Sequence, residues 1–230
     1  MWLRLDERVR DRIVAETRGN PLALLELPRG STARQLAGGF GLVTAQGLVG
    51  RIEESFVRRV GTLSDDARGL LLVAAAEPVG DPMLLLAASE RLGIAVSAVD
   101  AETGGLLALG EQVTFRHPLV RSAVYRTATR EQRREVHLAL AAATDRGVDP
   151  DRRAWHLATA AAGPDELVAV ELEQSARRAQ ARGGLAAAAA FLHRAVALSG
   201  DPKQRVRRAV AAAQASLHAG IFDGALELLA

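Results

Sequence analysis

The sequence predicts a mainly α-helical fold in which one β-hairpin interrupts a long series of helices. Hydrophobic residues make up 49% of the 230-residue chain and aromatic residues only 3%. Alanine and leucine, both strong helix formers, therefore supply most of the apolar side chains. Most segments repeat their apolar residues at helical spacing. Between residues 106 and 116 the spacing changes to alternation, which indicates strands.

Composition limits the classes of function that the chain can carry. No apolar run approaches the ~20 residues that a membrane-spanning helix needs, so we expect a cytoplasmic protein with no membrane partner. The chain has no cysteine, which excludes disulfides and thiolate metal sites. Its one lysine, Lys203, lies beside Pro202 and follows no glycine-rich turn. A P-loop needs a lysine after such a turn, so this sequence contains none.

The first 49 residues are predicted to form two helices and a linker. Residues 3–17 place apolar side chains on one helical face, and Gly19 ends this helix because glycine suits the left-handed C-cap position. Pro21 begins a second helix in its first turn, and Pro28 stops it. Residues 29–49 are glycine-rich and weakly periodic, which is typical of a linker.

Four helices are predicted in succession from residue 50. Phe56 lies on the apolar face of the first, Ser64 is the expected N-cap of the second, and Asp81 is the expected N-cap of the third. In the fourth, SAVDAETGG, Ser97 and Asp100 resemble a capping box. Each helix after the first therefore has a start signal of its own.

The stretch LLALGEQVTFR predicts a β-hairpin. Two short strands are joined by a two-residue turn at Gly110 and Glu111, with Val113 and Phe115 on the same side. His117 and the proline after it end the second strand, and the helical pattern resumes. The last three of these helices followed by a hairpin give the element order of a winged helix.

The remainder of the chain is predicted to be helical, beginning at a Thr129 N-cap and interrupted by a loop near residues 145–151. The segments ARGGLAAAAAFLHRA and HAGIFDGALELLA superimpose when Gly183 is placed on Gly220, an offset of 37 residues. The same offset places Ala188 on Ala225, Phe191 on Leu228 and Leu192 on Leu229. Small residues at such positions are typical of tetratricopeptide-like antiparallel helix pairs.

Several long stretches, taken in order, resemble the large ATP-binding regulators of the LuxR type. These are bacterial transcription regulators of the signal-transducing P-loop ATPase (STAND) class. The stretches are GNPLALLELP, LAGGFGL, GRIEESFVRRVGTLSDDARGLLLVAAAEPVGDP, FRHPLVRSAVY and DRRAWHLATAAAGPDE. The resemblance implies a nucleotide-binding core, a helical lid, a winged helix, tetratricopeptide-like repeats and a DNA-binding helix-turn-helix, in that order.

The resemblance also implies a division of this sequence. Residues 1–28 correspond to the end of the nucleotide-binding lid, residues 29–49 to a linker, and residues 50–146 to the winged-helix domain. Residues 147–230 correspond to incomplete tetratricopeptide-like (TPR) repeats. The ATP-binding core and the DNA-binding end of the family have no counterpart in this sequence.

Two candidate nucleotide contacts follow from the resemblance, and both require a P-loop core. In the family, a Gly-x-Pro turn lies beside the adenine of ATP or ADP, which implies this role for Gly19, Asn20 and Pro21. The alternative is a plain helix-breaking turn. A winged-helix histidine contacts the β-phosphate of ADP in related ATPases, which implies this role for His117. The alternative is a strand-end histidine that caps the following helix.

The expected function is that of a regulatory and interaction segment that couples signal or partner binding on the repeats to an ATPase switch. One alternative is a free-standing nucleic-acid-binding winged-helix protein, and another is an inactive remnant. In DNA-binding winged helices the helix before the hairpin enters the major groove. Here that helix carries Asp100 and Glu102 and no basic residue, so we expect no direct DNA contact.

No group of residues predicts catalysis or metal binding, so we expect no enzymatic activity from this sequence alone. The five histidines show no metal-ligand spacing. Ser122 and Ser175 are interpreted as helix-surface residues. His156 and Trp155 are predicted to pack between the winged helix and the repeats, with ligand stacking as the alternative for Trp155. Arginine clusters are interpreted as solvated faces that pair in part with Glu131, Glu135, Glu171 and Glu173.

Overall fold

A computed structural model of the chain describes residues 55–77 and 79–221. The predicted lid helices and linker, together with Gly19, Asn20 and Pro21, lie outside the described residues. So do Ala225, Leu228 and Leu229 of the predicted second repeat. The described part contains a helical segment α1 (55–61), followed by α2 (Asp65–Ala76), α3 (Pro82–Arg91), α4 (Val96–Thr103), β1 (Leu107–Ala108), β2 (Thr114–Phe115), α5 (Pro118–Thr127), α6 (Arg130–Ala143), α7 (Pro150–Ala160), α8 (Glu166–Ala181), α9 (Leu185–Ala197) and α10 (Pro202–His218).

Over the described residues the fold is mainly helical with one small antiparallel hairpin, which confirms the predicted class. Local capping explains why the helices begin where they do. The Ser64 hydroxyl accepts from the backbone N–H of Ala67, and the Asp81 carboxylate caps α3 in the same way. Thr129 and Gln132 form a complete capping box at the start of α6. The caps predicted at Ser64, Asp81 and Thr129 are therefore confirmed.

The capping box predicted at Ser97 and Asp100 is wrong. Helix α4 begins at Val96, and the N–H of Ala98 already donates to the Ala95 carbonyl at 2.9 Å. The first turn therefore closes before Ser97 can act as an N-cap. Glu102 of the same helix has a different partner, because its carboxylate accepts from the backbone N–H of Ser64 at 3.0 Å.

The hairpin has a longer connection than predicted. Leu107 pairs with Phe115 and Ala108 with Thr114, so residues 109–113 connect the strands and the predicted two-residue turn is wrong. Val113 leaves the ladder because its N–H donates to the Gly80 carbonyl at 2.8 Å. Gly80 has a φ of 77°, and a Cβ there would lie 2.5 Å from the Val113 oxygen. This contact accordingly requires glycine.

Residues 55–77 and 79–146, here called the hairpin region, share one hydrophobic core. Val113 and Phe115 pack against its edge, as predicted for residues on one side of the hairpin. Residues 147–221, here called the helix-pair region, are held by two smaller clusters in which alanine predominates. Helix α6 packs against α2 and α3 and also against α7. It therefore connects the two regions.

The helices of the first predicted repeat pack against one another, and the repeat itself stays a prediction because most of its second copy lies outside the described residues. Helices α8 and α9 are joined by residues 182–184 and pack against each other, and α9 packs against α10. Gly183 and Gly220 have φ values of 77° and 74°, so the same left-handed turn follows α8 and α10. Ala188 and Leu192 are buried. Both belong to the cluster between these helices.

Candidate functional site

The contact between α6 and α7 contains a buried chain of polar rings. His137 of α6 and His156 of α7 bring their Nδ1 atoms to 2.9 Å. The Tyr125 hydroxyl of α5 lies 2.8 Å from His137 Nε2. His137 is 3% exposed and His156 is fully buried, so the hydrogen bond between the two imidazoles is shielded from water. We call Tyr125, His137, His156, Arg133 and Arg152 the joint.

The two imidazoles can share only one proton between their facing Nδ1 atoms. A neutral imidazole has one N–H donor and one acceptor nitrogen. The observed distance therefore requires an N–H on one Nδ1 and a lone pair on the other. The ring centroids lie 5.2 Å apart, and the Arg133 guanidinium lies 5.5 Å from the centroid of the Tyr125 ring. The geometry therefore requires that the two facing Nδ1 atoms differ in protonation.

Burial and neighbouring charges keep these histidines neutral. Burial, followed by His156 and Arg133, lowers the pKa of His137 to about 4. Burial and then Arg152 lower the pKa of His156 to about 4, against a smaller opposite effect of Asp149. Because an ordinary histidine titrates near pH ~6.5, both imidazoles are uncharged at neutral pH. The Nδ1–Nδ1 hydrogen bond is then possible.

A second link in the joint is ionic. The Arg152 guanidinium of α7 lies 3.4 Å from the Asp81 carboxylate and 3.7 Å from the Glu77 carboxylate. Glu77 is buried, and it accepts hydrogen bonds from the backbone N–H groups of Gly80 and Asp81. The segment between α2 and α3 is thereby tied to the first turn of α7.

A groove of about 590 Å³ lies against α6 at Gln132, Glu135 and Val136. Its size falls within the range of ~300–1,000 Å³ that is common for ligand sites. Helices α1, α2, α5 and α6 supply its walls, with Val57, Val60, Leu72 and Val136 among the apolar lining residues and Asp65, Asp66 and Glu135 among the acidic ones. Val136 and His137 are adjacent, so α6 takes part in both the groove and the joint.

His117 lies at the start of α5, where it acts as the N-cap. Its Nδ1 accepts from the Leu119 N–H at 3.1 Å, and its ring centroid lies 4.9 Å from that of Phe56. The side chain is 7% exposed. This geometry agrees with the capping alternative. The contact with a phosphate requires a P-loop core and stays a prediction.

Two surface assignments change in the structure, and a third residue, Trp155, is more exposed than a position between the two regions implies. Ser175 is fully buried, so the surface prediction was wrong. Its hydroxyl donates to the Glu171 carbonyl and accepts from Arg178. Arg208 is 1% exposed, so it does not belong to a solvated face. Trp155 is 42% exposed, and its ring meets Phe191 edge-on at 6.1 Å between centroids.

One predicted pairing is present, because Glu173 pairs at 2.8 Å with Arg207 of the arginine cluster at residues 203–208. Glu171 pairs at 2.8 Å with Arg153, which lies outside the predicted clusters. His156 lies between the two regions, as expected. The partnership of His156 with His137 and Tyr125 was missed. The available signal was a histidine inside the apolar run VHLAL, which places an imidazole on a buried face.

Among the described residues, no group of three or more metal-ligating side chains could hold a metal ion. No described helix has the length and apolar character needed to cross a bilayer. No protein-family model matches the chain, and neither a curated protein nor a solved structure matches it.

Proposed function

We propose that this chain is a regulatory and interaction segment of an ATP-dependent bacterial transcription regulator of the LuxR type. In this proposal, a signal or a partner protein binds the helix pairs and biases an ATPase switch carried by a separate P-loop core. The main structural support is the position of α6, which packs against α2 and α3 on one side and α7 on the other. A displacement of the helix pairs can thus reach the hairpin region through one helix.

Coupling of this kind requires two states that bind the signal with different affinity. In the proposed resting state, ADP is bound and the hairpin region lies against the nucleotide-binding core. Gly19, Asn20, Pro21 and His117 are the proposed nucleotide contacts. Signal binding on the helix pairs favours the open state, which then assembles.

The rival function is direct nucleic-acid binding by the hairpin region. Glu102 on α4 accepts from the Ser64 hydroxyl and N–H, and the sequence of the same helix contains a second acidic residue, Asp100. Carboxylates in this position repel phosphates, and α4 contributes no basic side chain. These observations favour the regulatory role over DNA binding.

An electrophoretic titration against random duplex DNA at low salt separates the two functions. The regulatory proposal predicts no salt-sensitive affinity, whereas a DNA-binding winged helix would show an affinity that falls steeply as salt is raised. Steep salt-dependent binding by the intact chain would overturn the proposal.

The DNA that flanks the reading frame gives a second, independent test. An in-frame or frameshifted P-loop sequence upstream and a helix-turn-helix sequence downstream are expected. In a binding assay with labelled ATP, the isolated chain is expected to neither capture nor hydrolyse the nucleotide. Tight capture or hydrolysis, or the absence of both flanking sequences, would contradict the proposal.

A further inference from the structure

The joint places two titratable rings where the hairpin region meets the helix-pair region. We propose that His137 and His156 form an acid-sensitive latch, which holds α7 on α6 while both imidazoles are neutral and releases it when both are protonated. This inference goes beyond the proposed function and does not depend on it, because the latch needs no nucleotide and no signal ligand.

The proton count of the pair decides whether the latch can close. With both rings neutral, one Nδ1–H donates to the other Nδ1 at the observed 2.9 Å. One added proton still leaves a lone pair to accept this bond. A second proton places an N–H on both facing nitrogens, so the hydrogen bond is lost and two cations stand in contact. Complete protonation is therefore incompatible with the closed geometry.

The charged groups around the pair oppose protonation more than they favour it. Arg133 on α6 and Arg152 on α7 both disfavour a positive imidazole, whereas Asp149 at the start of α7 favours one. From α5 the facing group is the Tyr125 hydroxyl. From the segment between α2 and α3, Glu77 and Asp81 reach only as far as Arg152.

Opening of the joint would also weaken its ionic link. A protonated His156 repels the Arg152 guanidinium, which contacts Glu77 and Asp81. Loss of the histidine bond and displacement of Arg152 therefore act in the same direction. Both contacts connect α7 to the hairpin region.

The direction of the pH response follows from the lowered pKa values. In the closed joint both histidines have a pKa of about 4. Once the joint opens, water restores a value near ~6.5. The open form then binds more protons, so opening is favoured as the pH falls below ~6.5 and the effect levels off below the closed-state values.

Hydrogen–deuterium exchange of the full chain at pH 7.5 and pH 5.0 tests the latch, with rates corrected for intrinsic exchange. At pH 5.0 the corrected exchange rate of peptides from α6 and α7 is expected to exceed that at pH 7.5 by at least about tenfold for each of the two histidines. Peptides from α9 and α10 are expected to change much less. An equal change in all peptides, or no change at the joint, would overturn the proposal.

Matched variants identify the groups responsible. The double variant His137→Gln/His156→Gln removes both titrations, so its joint peptides should show no pH response. His218→Gln changes an exposed histidine on α10 and should keep the full response. A persistent response in the double variant would assign the effect to other groups.

A proton NMR titration of the wild-type imidazoles decides the question even where the double variant fails to fold. The resonances of His137 and His156 are expected either to titrate with midpoints below pH ~5.5 or to change only as the joint opens. Ordinary midpoints near pH ~6.5 for both joint histidines would overturn the latch. They would leave the DNA and flanking-sequence tests of the proposed function unaffected.

Discussion

The hairpin region and the helix-pair region bury different kinds of side chain. The hairpin region is built around large aliphatic residues that are almost fully enclosed, among them Leu70, Leu71, Leu85, Leu106, Leu107 and Leu140. The clusters of the helix-pair region consist mostly of alanine, and the largest fully buried side chain there is Arg208. The first region depends on apolar volume, and the second depends on close helix approach and ionic contacts.

The ionic contacts of the helix-pair region link helices that the alanines bring close. Arg208 on α10 reaches back to α8, where it lies 2.5 Å from the Glu166 carboxylate and 3.1 Å from that of Glu173. It also donates to the Ser199 hydroxyl at 2.6 Å. Alanine side chains are too small to interlock, so by themselves they do not fix how far one helix is shifted along another. Directional contacts of this kind fix the register of the pairs.

The largest predicted effect is the loss of Arg208. Arg208→Ala leaves two carboxylates without their shared partner, of which Glu173 is 15% and Glu166 48% exposed. Because solvent screens the Glu166 contact, the expected cost is at the lower end of the ~3–5 kcal/mol of a broken buried ion pair. Its neighbour Arg207 also pairs with Glu173, but its side chain is 59% exposed. Arg207→Ala is therefore expected to cost below ~1 kcal/mol. Urea unfolding at pH 7 measures both free energies, and equal losses would show that burial of Arg208 does not matter.

The next effect tests the hairpin region. Leu70→Ala removes a fully buried side chain from the main core, and such changes cost ~2–5 kcal/mol because they leave a cavity. Leu86 lies on α3 and is 44% exposed. Leu86→Ala should change the free energy of unfolding by less than ~1 kcal/mol. A Leu70→Ala loss as small as that of the control would contradict the importance of aliphatic volume.

A smaller effect is expected from adding volume to the alanine cluster. Ala188 is fully buried between α8 and α9, so Ala188→Leu should overpack the contact and cost ~1–3 kcal/mol. Ala190 lies on the exposed face of the same helix. Ala190→Leu is expected to be neutral within ~0.5 kcal/mol. Thermal unfolding of both variants compares them, and a stabilised Ala188→Leu protein would indicate an underpacked helix pair.

The smallest predicted effect comes from removing a pH-dependent ion pair of the helix-pair region. Burial alone would raise the pKa of Asp151, but hydrogen bonds from Arg182 and Arg178 hold it below its ordinary value. A depressed carboxyl pKa stabilises the fold above the unfolded value, and this stabilisation is lost as the pH falls through the folded value. Asp151→Asn should cost ~1 kcal/mol at pH 7. Urea unfolding between pH 7 and pH 3 should show the free energies of unfolding of the wild-type protein and Asp151→Asn becoming more similar below pH ~4.

Much of the fold could be predicted because its signals are local. Ser64, Asp81 and Thr129 begin helices through hydrogen bonds to residues two or three positions away. Gly183 ends a helix through its own left-handed backbone. The alternation around Val113 and Phe115 indicated a hairpin, although not the length of its connection. That length depends on Gly80, more than thirty residues earlier.

The candidate site is the part that the sequence did not predict. His137 and His156 are 19 residues apart, and Arg208 and Glu166 are 42 apart. Taken from the sequence of its own helix, Arg208 is interpreted as a residue on a solvated face. His137 is interpreted in the same way as a lone polar residue on an apolar face. Only helix packing decides whether such a side chain meets water or another polar group.

The sequence by itself determined the helical class, the helix starts and the presence of the hairpin, because these follow from propensity, spacing and short-range hydrogen bonds. The tertiary structure decided which polar side chains became buried and which partners they met. The physical reason is that desolvation depends on surfaces that exist only after distant helices have packed.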